Sequence, residues 1–486
     1  MIYKLRPYQE ECVKSISDYI NSDRHDPVLI VGPVGCGKSL LIAEAARLMG
    51  DKTLILQPSK ELLQQNHNKI TSYGIPATIY SASCGKKELS NMIYATLGSI
   101  KKVVGQLKEM GIRNVLIDEA HAGYSPEDGS EFMTFMNELK PKKVIGFTAT
   151  PCRLKTMSIG QVSYSQLNFI TRMRPVYFKN LIHVIQVEEM IRQGFWTPLK
   201  YETWDFNGDA LKLNSNGSEY TAESISEAVR KNGLNNLILR RLMVLKDVCR
   251  SILVFMDSVE SCNTAAEWMN AKICAGMAEV VHGGTPKKQR EAIVEGFKSG
   301  KTKVVFNYSA LGTGFDHPGL DCVIVGRPTF SFSSFYQWLG RAVRIKDGKD
   351  SALVVDCCNN SSRFGDIRKL SIENYKGYGW GMFIGDKLIT NIPMGDKVTK
   401  TDLDIKAARK DRRRGLAQGV TAAPVPGRPD HPLGSTVMTF GKYCGWMFHS
   451  IPVSYFKFIN EIFDWDNDRN KDIKEYIDFL IKNNRL

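Results

Sequence analysis

Residues 28–39 of this 486-residue chain read VLIVGPVGCGKS, and no other stretch narrows the possible folds as much. An apolar run leads into Gly32-Pro33-Val34-Gly35-Cys36-Gly37-Lys38-Ser39, and the helical pattern LLIAEAARLMG follows at once. A strand, a glycine-rich loop and Lys-Ser at a helix start make the phosphate-loop pattern. A backbone that wraps a polyphosphate must turn its N–H groups inward, and Gly32, Gly35 and Gly37 supply the conformational freedom for that. The helix starting beside Lys38 aims its positive dipole end at the anion, and Lys38 adds a mobile charge for the outer phosphates. The Ser39 hydroxyl can ligate Mg2+. A glycine-rich turn that binds nothing is the competing reading, and the strand-loop-helix setting argues against it.

The phosphate loop requires one α/β unit, and the hydrophobic pattern predicts two. Strand candidates at 28–32, 53–57, 115–120 and 144–149 alternate with helical patterns, as in a parallel sheet covered by helices on both faces. After a polar, irregular stretch the alternation returns at 251–256, 303–308, 322–326 and 352–357. At 486 residues the chain exceeds what one core supports, in keeping with tandem domains. Past residue 366 the rhythm stops: a Gly- and aromatic-rich stretch, a basic run (IKAARKDRRR, 405–414) and a Pro/Gly/Ala-rich linker precede a small aromatic-rich tail. The expected division is lobe 1 over 1–160, lobe 2 over 180–366, a basic accessory segment and linker over 367–435, and a small α+β module over 436–486.

Charge indicates the class of partner. Lys plus Arg number 65 against 51 for Asp plus Glu, a net +14, and for a nucleotide-using protein such an excess favours nucleic acid. No apolar run approaches the ~20 residues of a membrane span, and the N-terminus lacks a signal-peptide core. A cytoplasmic protein of bacterial or phage type, with no membrane partner, is expected. The 11 cysteines form no CxxC pair, so neither a disulfide framework nor a zinc ribbon is indicated, and Cys357 and Cys358 read as buried strand thiols.

Ligands of parallel sheets lie beyond the carboxyl ends of the strands. Asp118-Glu119-Ala120-His121 follows the apolar run NVLI, which places Asp118 to hold Mg2+ opposite Ser39 and Glu119 to orient or deprotonate a water. Those four residues spell DEAH, and with the phosphate loop the chain resembles superfamily 2 helicases of the DEAH type. The resemblance runs from about residue 1 to 365 and implies two tandem RecA-like lobes, with ATP between them and a nucleic-acid strand across their tops.

Further motifs carry it in order. Leu5-Arg6-Pro7-Tyr8-Gln9 resembles the adenine-reading motif, which implies base contacts from Gln9 and Arg6. Pro58 and Ser59 of QPSKEL, with Thr96, Gly98 and Ser99, resemble motifs that touch the nucleic-acid backbone. Thr148-Ala149-Thr150 resembles the motif that couples hydrolysis to strand contact. In the second unit, Thr313, Gly314 and Asp316 of LGTGFD and Gln337 of QWLGRAVR resemble the elements facing nucleotide and strand across the cleft, with Arg341 and Arg344 implied at the γ-phosphate. QPSKEL and TAT depart from DEAD-box RNA-helicase spellings and tilt the resemblance toward DNA enzymes of the restriction-subunit and branch-migration type.

The expected activity is ATP-dependent unwinding or remodelling of branched or forked DNA through a single strand, with an RNA helicase or a restriction motor subunit as alternatives. Because the adenine motif lies at residues 5–9, no branch-binding wedge is expected ahead of it. The basic run Lys406, Arg409, Lys410, Arg412, Arg413, Arg414 reads equally as a phosphate-following patch or a solvated face. The tail pattern of Phe440-Gly441-Lys442-Tyr443, Gly445, Trp446, Ile451-Pro452 and Tyr455 resembles a small module of phage and bacterial nucleic-acid enzymes. Its aromatics read first as a mini-core and second as a base-stacking surface.

Overall fold

The computed structural model describes residues 4–50, 52–159, 162–311, 315–407, 432–436, 438, 443, 447–451, 453–462 and 471–483. Lobe 1 is built on β1 (Val28–Val31), β2 (Thr53–Leu56), β3 (Thr78–Ser81), β4 (Lys86–Lys87), β5 (Met92–Ala95), β6 (Asn114–Ile117) and β7 (Lys143–Thr148). A hairpin of β8 (Cys152–Ile159) and β9 (Val162–Phe169) follows, then β10 (Asn180–Val184). The main sheet runs β10-β1-β7-β6-β2-β5-β3-β4, parallel except at the β3/β4 edge. Every residue of β1, β2, β5, β6 and β7 is buried, which is why these strands are continuous apolar runs rather than alternating ones.

Three helices matter to the site: α1 (Pro7–Asn21), α2 (Lys38–Met49) and α3 (Lys60–Ser72). Pro7 opens α1, where its missing N–H costs nothing. Ser59 caps α3 by accepting from the Leu62 N–H at 3.3 Å.

Lobe 2 holds β11 (Leu199–Thr203), β12 (Ile252–Phe255), β13 (Ala278–His282), β14 (Val304–Tyr308), β15 (Cys322–Val325) and β16 (Ala352–Asp356). These form one parallel sheet in the order β11-β16-β15-β12-β14-β13. All eight strands expected from the apolar runs are present, seven within a residue or two and the 115–120 candidate ending three residues early at Ile117. Cys357 and Cys358 are buried just past β16, and all described cysteines are free thiols.

Two expected boundaries move. Residues 180–184, assigned by sequence to lobe 2, form β10, which pairs in parallel with β1 at the edge of the lobe 1 sheet. A strand joins whichever edge satisfies its backbone, and lobe 2 begins only at β11. The stretch after 366 is not merely an accessory tail: β17 (Leu370–Tyr375), β18 (Gly379–Ile384) and β19 (Lys387–Leu388) form an antiparallel meander. The Gln186 amide donates to Ile372 O at 2.7 Å and accepts from Ile372 N at 3.2 Å, while Asn391 N and Met394 N donate to Leu167 O and Ser165 O. One compact unit therefore comprises residues 1–375 and 379–398.

A second unit takes 376–378 and 399–486. Helices Val453–Ile462 and Lys471–Lys482 contribute to a core of its own that includes Phe448, Ile451, Phe456, Ile459, Tyr476 and Leu480. Tyr443 and Tyr455 pack edge to face at 4.7 Å, in line with the mini-core reading. Arg409, Lys410, Arg412, Arg413, Arg414, Phe440, Gly441, Lys442, Gly445, Trp446 and Pro452 lie outside the described residues. No described helix is long and apolar enough to cross a membrane.

Candidate nucleotide site between the two lobes

The phosphate loop leaves β1 at its carboxyl end and feeds α2. Gly35 and Gly37 both take φ = 84°, a left-handed conformation that glycine adopts without strain. The space is restricted as well: a Cβ on Gly37 would come within 2.6 Å of Gln9 Nε2, and one on Gly35 within 3.2 Å of a Val343 methyl. Gln9 holds the loop from α1, donating Nε2 to Cys36 O at 2.9 Å and accepting the Arg6 N–H at 3.0 Å. Tyr8 adds its hydroxyl to the same Cys36 carbonyl at 3.1 Å. Gln9 is thus 3% exposed and braces the loop, while its second amide hydrogen and second lone pair stay available to a base.

At the end of β6, Lys38 Nζ is hydrogen-bonded to Glu119 Oε1. Glu119 sits at φ = 46°, left-handed for a non-glycine residue, a strained conformation of the kind that clusters at functional sites. Burial disfavours its charge, but Lys38 above all, and Arg341, outweigh that and hold the carboxyl below its ordinary range. Its other oxygen, Oε2, is buried and accepts no hydrogen bond, with His121 Nδ1 3.4 Å away. Asp118 accepts from the Glu119 N–H at 2.9 Å and from Asn66 Nδ2 at 3.0 Å. Burial pushes Asp118 up to about 6 against the pull of Lys38, so a bound cation would favour its ionised form.

The opposite wall comes from lobe 2. Arg341 donates to Phe315 O at 2.7 Å, and burial, then the neighbouring Arg344, pushes its guanidinium down to about 9. Arg344 pairs with Asp316. Together the lobes enclose a cavity of about 510 Å³ lined by Gln9, Lys38, Asp118 and Glu119 on one side and Gln337, Arg341 and Arg344 on the other. Ser39 also lines it. The lobes meet closely, since a Cβ on Gly340 would fall 2.5 Å from the Val34 side chain.

The residues read as strand contacts divide. Pro58 and Gly98 are exposed just past β2 and β5, which are hydrogen-bonded neighbours. Ser59 caps α3, Thr96 bonds Ser99 at 3.1 Å, and Ser99 accepts the Ala82 N–H at 3.0 Å, so these hydroxyls already have partners. Thr148 and Thr150, expected as nucleic-acid contacts, differ more sharply: both are 0% exposed. Thr148 Oγ1 lies 2.8 Å from His121 Nδ1, and Thr150 Oγ1 lies 3.1 Å from Ser333 Oγ of lobe 2. Ser333 Oγ also reaches His121 Nε2 at 3.1 Å, closing a polar network that joins the lobes beside Glu119. Thr313 and Gly314 lie outside the described residues.

Sequence reasoning missed Ser333, Asn66 and the segment Phe195–Thr197. The serine cluster 331–334 signals a helix start, and Ser331 indeed caps Phe332–Leu339, but nothing in it indicates reach to the other lobe. Asn66 carries no local signal at all.

A phosphate loop, an acidic pair two strands over and arginines from a second α/β lobe make the two-lobed cleft of a P-loop nucleotide-binding protein. Comparison with known proteins narrows the class. The family profile for the type III restriction enzyme res subunit matches residues 2–153, and that for the helicase conserved C-terminal domain matches 235–346. A 51.5 kDa protein of a Lactococcus phage is 25% identical over 332 residues, 68% of this chain and 65% of its own length. DNA 3'-5' translocase XPB2 of Sulfurisphaera tokodaii is 24% identical over 72% of this chain and 81% of its own length. The DNA-bound structure of the Type ISP restriction-modification enzyme LlaBIII shares the fold, at TM-score 0.55 and 16% identity, over 74% of this chain and 28% of that one. Alignments with the first matched relatives cover only 38% to 65% of their lengths. Over these residues the two lobes resemble those of superfamily 2 helicases and translocases.

Proposed function

We propose that the chain is an ATP-dependent DNA helicase or translocase of the DEAH type, which moves along a single strand and remodels branched or forked duplexes in the cytoplasm of a bacterium or an infected host. The observation that carries this reading is the cavity walled by Lys38, Asp118 and Glu119 from one lobe and by Arg341 and Arg344 from the other. A site completed only when two lobes meet ties hydrolysis to lobe movement, as an arginine finger does. Glu119 is the base that orients the attacking water, Lys38 neutralises the outer phosphates and Arg341 the developing γ-phosphoryl charge. Ser39 and Asp118 fit Mg2+, whose role when bound is to neutralise and polarise the phosphate oxygens. Pro58 and Gly98, with Thr313 and the backbone around Ser59, Thr96 and Ser99, supply the strand path.

The test is ATP hydrolysis with and without nucleic acid. Lys38→Ala is expected to abolish it while DNA binding persists, and the wild-type rate is expected to rise on adding DNA because closure uses both ligands. A Lys38→Ala variant at wild-type rate, or a rate indifferent to DNA and RNA, would overturn the assignment; stronger stimulation by RNA would move it to an RNA helicase. The res-subunit profile over residues 2–153 favours a second reading, the motor subunit of a restriction complex. Unwinding of forks by the isolated chain would exclude that reading.

A further inference from the structure

The chain crosses from lobe 1 to lobe 2 between the helix Val187–Arg192 and β11. The helix ends on Gly194 at φ = 72°, with Phe195 N returning to Met190 O at 2.8 Å, which fixes the direction in which the next residues leave. Phe195, Trp196 and Thr197 then touch three different parts of the nucleotide site. The Arg6 guanidinium lies 4.5 Å over the Phe195 ring, Tyr8 packs edge-on to it at 5.4 Å, and Phe195 shares the cavity wall with Arg6 and Gln9. Trp196 is 2% exposed and donates its indole N–H to Val34 O of the phosphate loop at 2.7 Å. Thr197 is also 2% exposed; its N–H donates to Val343 O at 2.8 Å and its hydroxyl to Arg344 O at 2.7 Å. Lys349 secures the same loop, donating to Ala342 O at 2.7 Å and Arg344 O at 2.8 Å.

We propose that Phe195-Trp196-Thr197 is a strap that selects the nucleobase at one end and sets the arginine loop at the other. It rests on the reading of the cleft as an ATP site. Phe195 backs the Arg6 guanidinium so that its plane is fixed for stacking against a purine, which makes it a determinant of base choice. Trp196 joins that end to the phosphate loop. Thr197 is a positioning residue, because its hydroxyl holds the Arg344 carbonyl and through it the backbone that carries Arg341 and Arg344. A base seated on Arg6 therefore bears on the same rigid segment that aims the guanidinium groups.

The strap is tested on the full chain by equilibrium binding of a fluorescent ATP analogue and by steady-state hydrolysis of ATP and GTP. Phe195→Ala is expected to weaken analogue binding and raise KM for ATP about tenfold, to erase the preference for ATP over GTP, and to be restored by Phe195→Tyr. Thr197→Val is expected to lower kcat about tenfold at unchanged KM, with Thr197→Ser returning most of it. Wild-type binding and base preference in Phe195→Ala, or wild-type kcat in Thr197→Val, would overturn the proposal. So would equal loss in Thr197→Ser and Thr197→Val accompanied by a lowered melting temperature, since that marks a purely structural role. A wild-type chain that binds the analogue without hydrolysing it would overturn the ATPase assignment, while binding by Phe195→Ala would still decide the strap.

Discussion

At the scale of single residues, the site is governed by charges that burial would neutralise if they stood alone. Glu119 keeps its charge because Lys38 and Arg341 lie close to it, and removing Lys38 leaves a buried carboxylate without its partner. His121 behaves oppositely. Burial pushes its imidazole from 6.5 down to about 4, helped by Lys38 and Arg153 against the pull of Glu119. The neutral ring can donate at one nitrogen and accept at the other, which suits its position between Thr148 and Ser333. Between pH 6.5 and 4 the unfolded chain binds this proton and the folded chain does not, so stability falls as pH drops through that window and is constant above it. His121→Gln is expected to melt lower at pH 7.5 but to lose less on acidification to about pH 5. His317, also pushed down to about 4, is common to both proteins and cancels in the comparison of melting curves. Parallel curves would refute the assignment of a buried neutral imidazole.

Among the elements, the contact of the phosphate loop with the helix Phe332–Leu339 and its following turn sets how tightly the cleft closes. Gly340 faces the branched side chain of Val34, and an added methyl would lie within 2.6 Å of its Cβ. Val34 is stiff at χ1 and cannot swing clear, so Gly340→Ala must part the lobes locally, at a cost of about 1–3 kcal/mol. The expected outcome is a fall in kcat for ATP of at least about tenfold with analogue binding nearly retained. Unaltered turnover would show that this approach is not needed for hydrolysis. The same scale explains what the sequence concealed: β3, β5, β10, β11 and β13 escaped notice, whereas the fully buried β1, β2, β6, β7, β12 and β15, with β14 and β16 buried at all but one position, announced themselves. β3, β10, β11 and β13 are short strands with partly exposed positions, and β5, although buried throughout, is only four residues long and follows a polar stretch. Their places are chosen by the neighbouring strand rather than by their own composition.

For the whole molecule, the chain separates into a two-lobed unit with its docked meander and a second unit with its own apolar core. Cores that share no residues can unfold independently. A chain ending at Val398 is therefore expected to keep cooperative melting and basal ATP hydrolysis. Circular dichroism melting and an ATPase assay check both, and loss of cooperative unfolding would show that the second unit is required for the first to fold. If fork unwinding is lost while hydrolysis remains, substrate choice resides beyond residue 398.

The sequence by itself pointed to the chemistry: the glycines, Lys38 and Ser39 of the loop and the Asp118-Glu119 pair are local patterns that suit a polyphosphate and Mg2+, while the two arginines were marked by the resemblance of QWLGRAVR. It also determined two parallel sheets, because strands buried on both faces must be continuously apolar. Only the tertiary structure decided which residues complete the site. Asn66 beneath Asp118, Ser333 between His121 and Thr150, and Phe195–Thr197 between base, loop and arginines act across 52, 212 or 183, and 147 to 189 positions of chain. Polar side chains of this kind carry no periodicity and no motif. They are placed by the requirement that buried donors and acceptors find partners, which is met only once the lobes have packed.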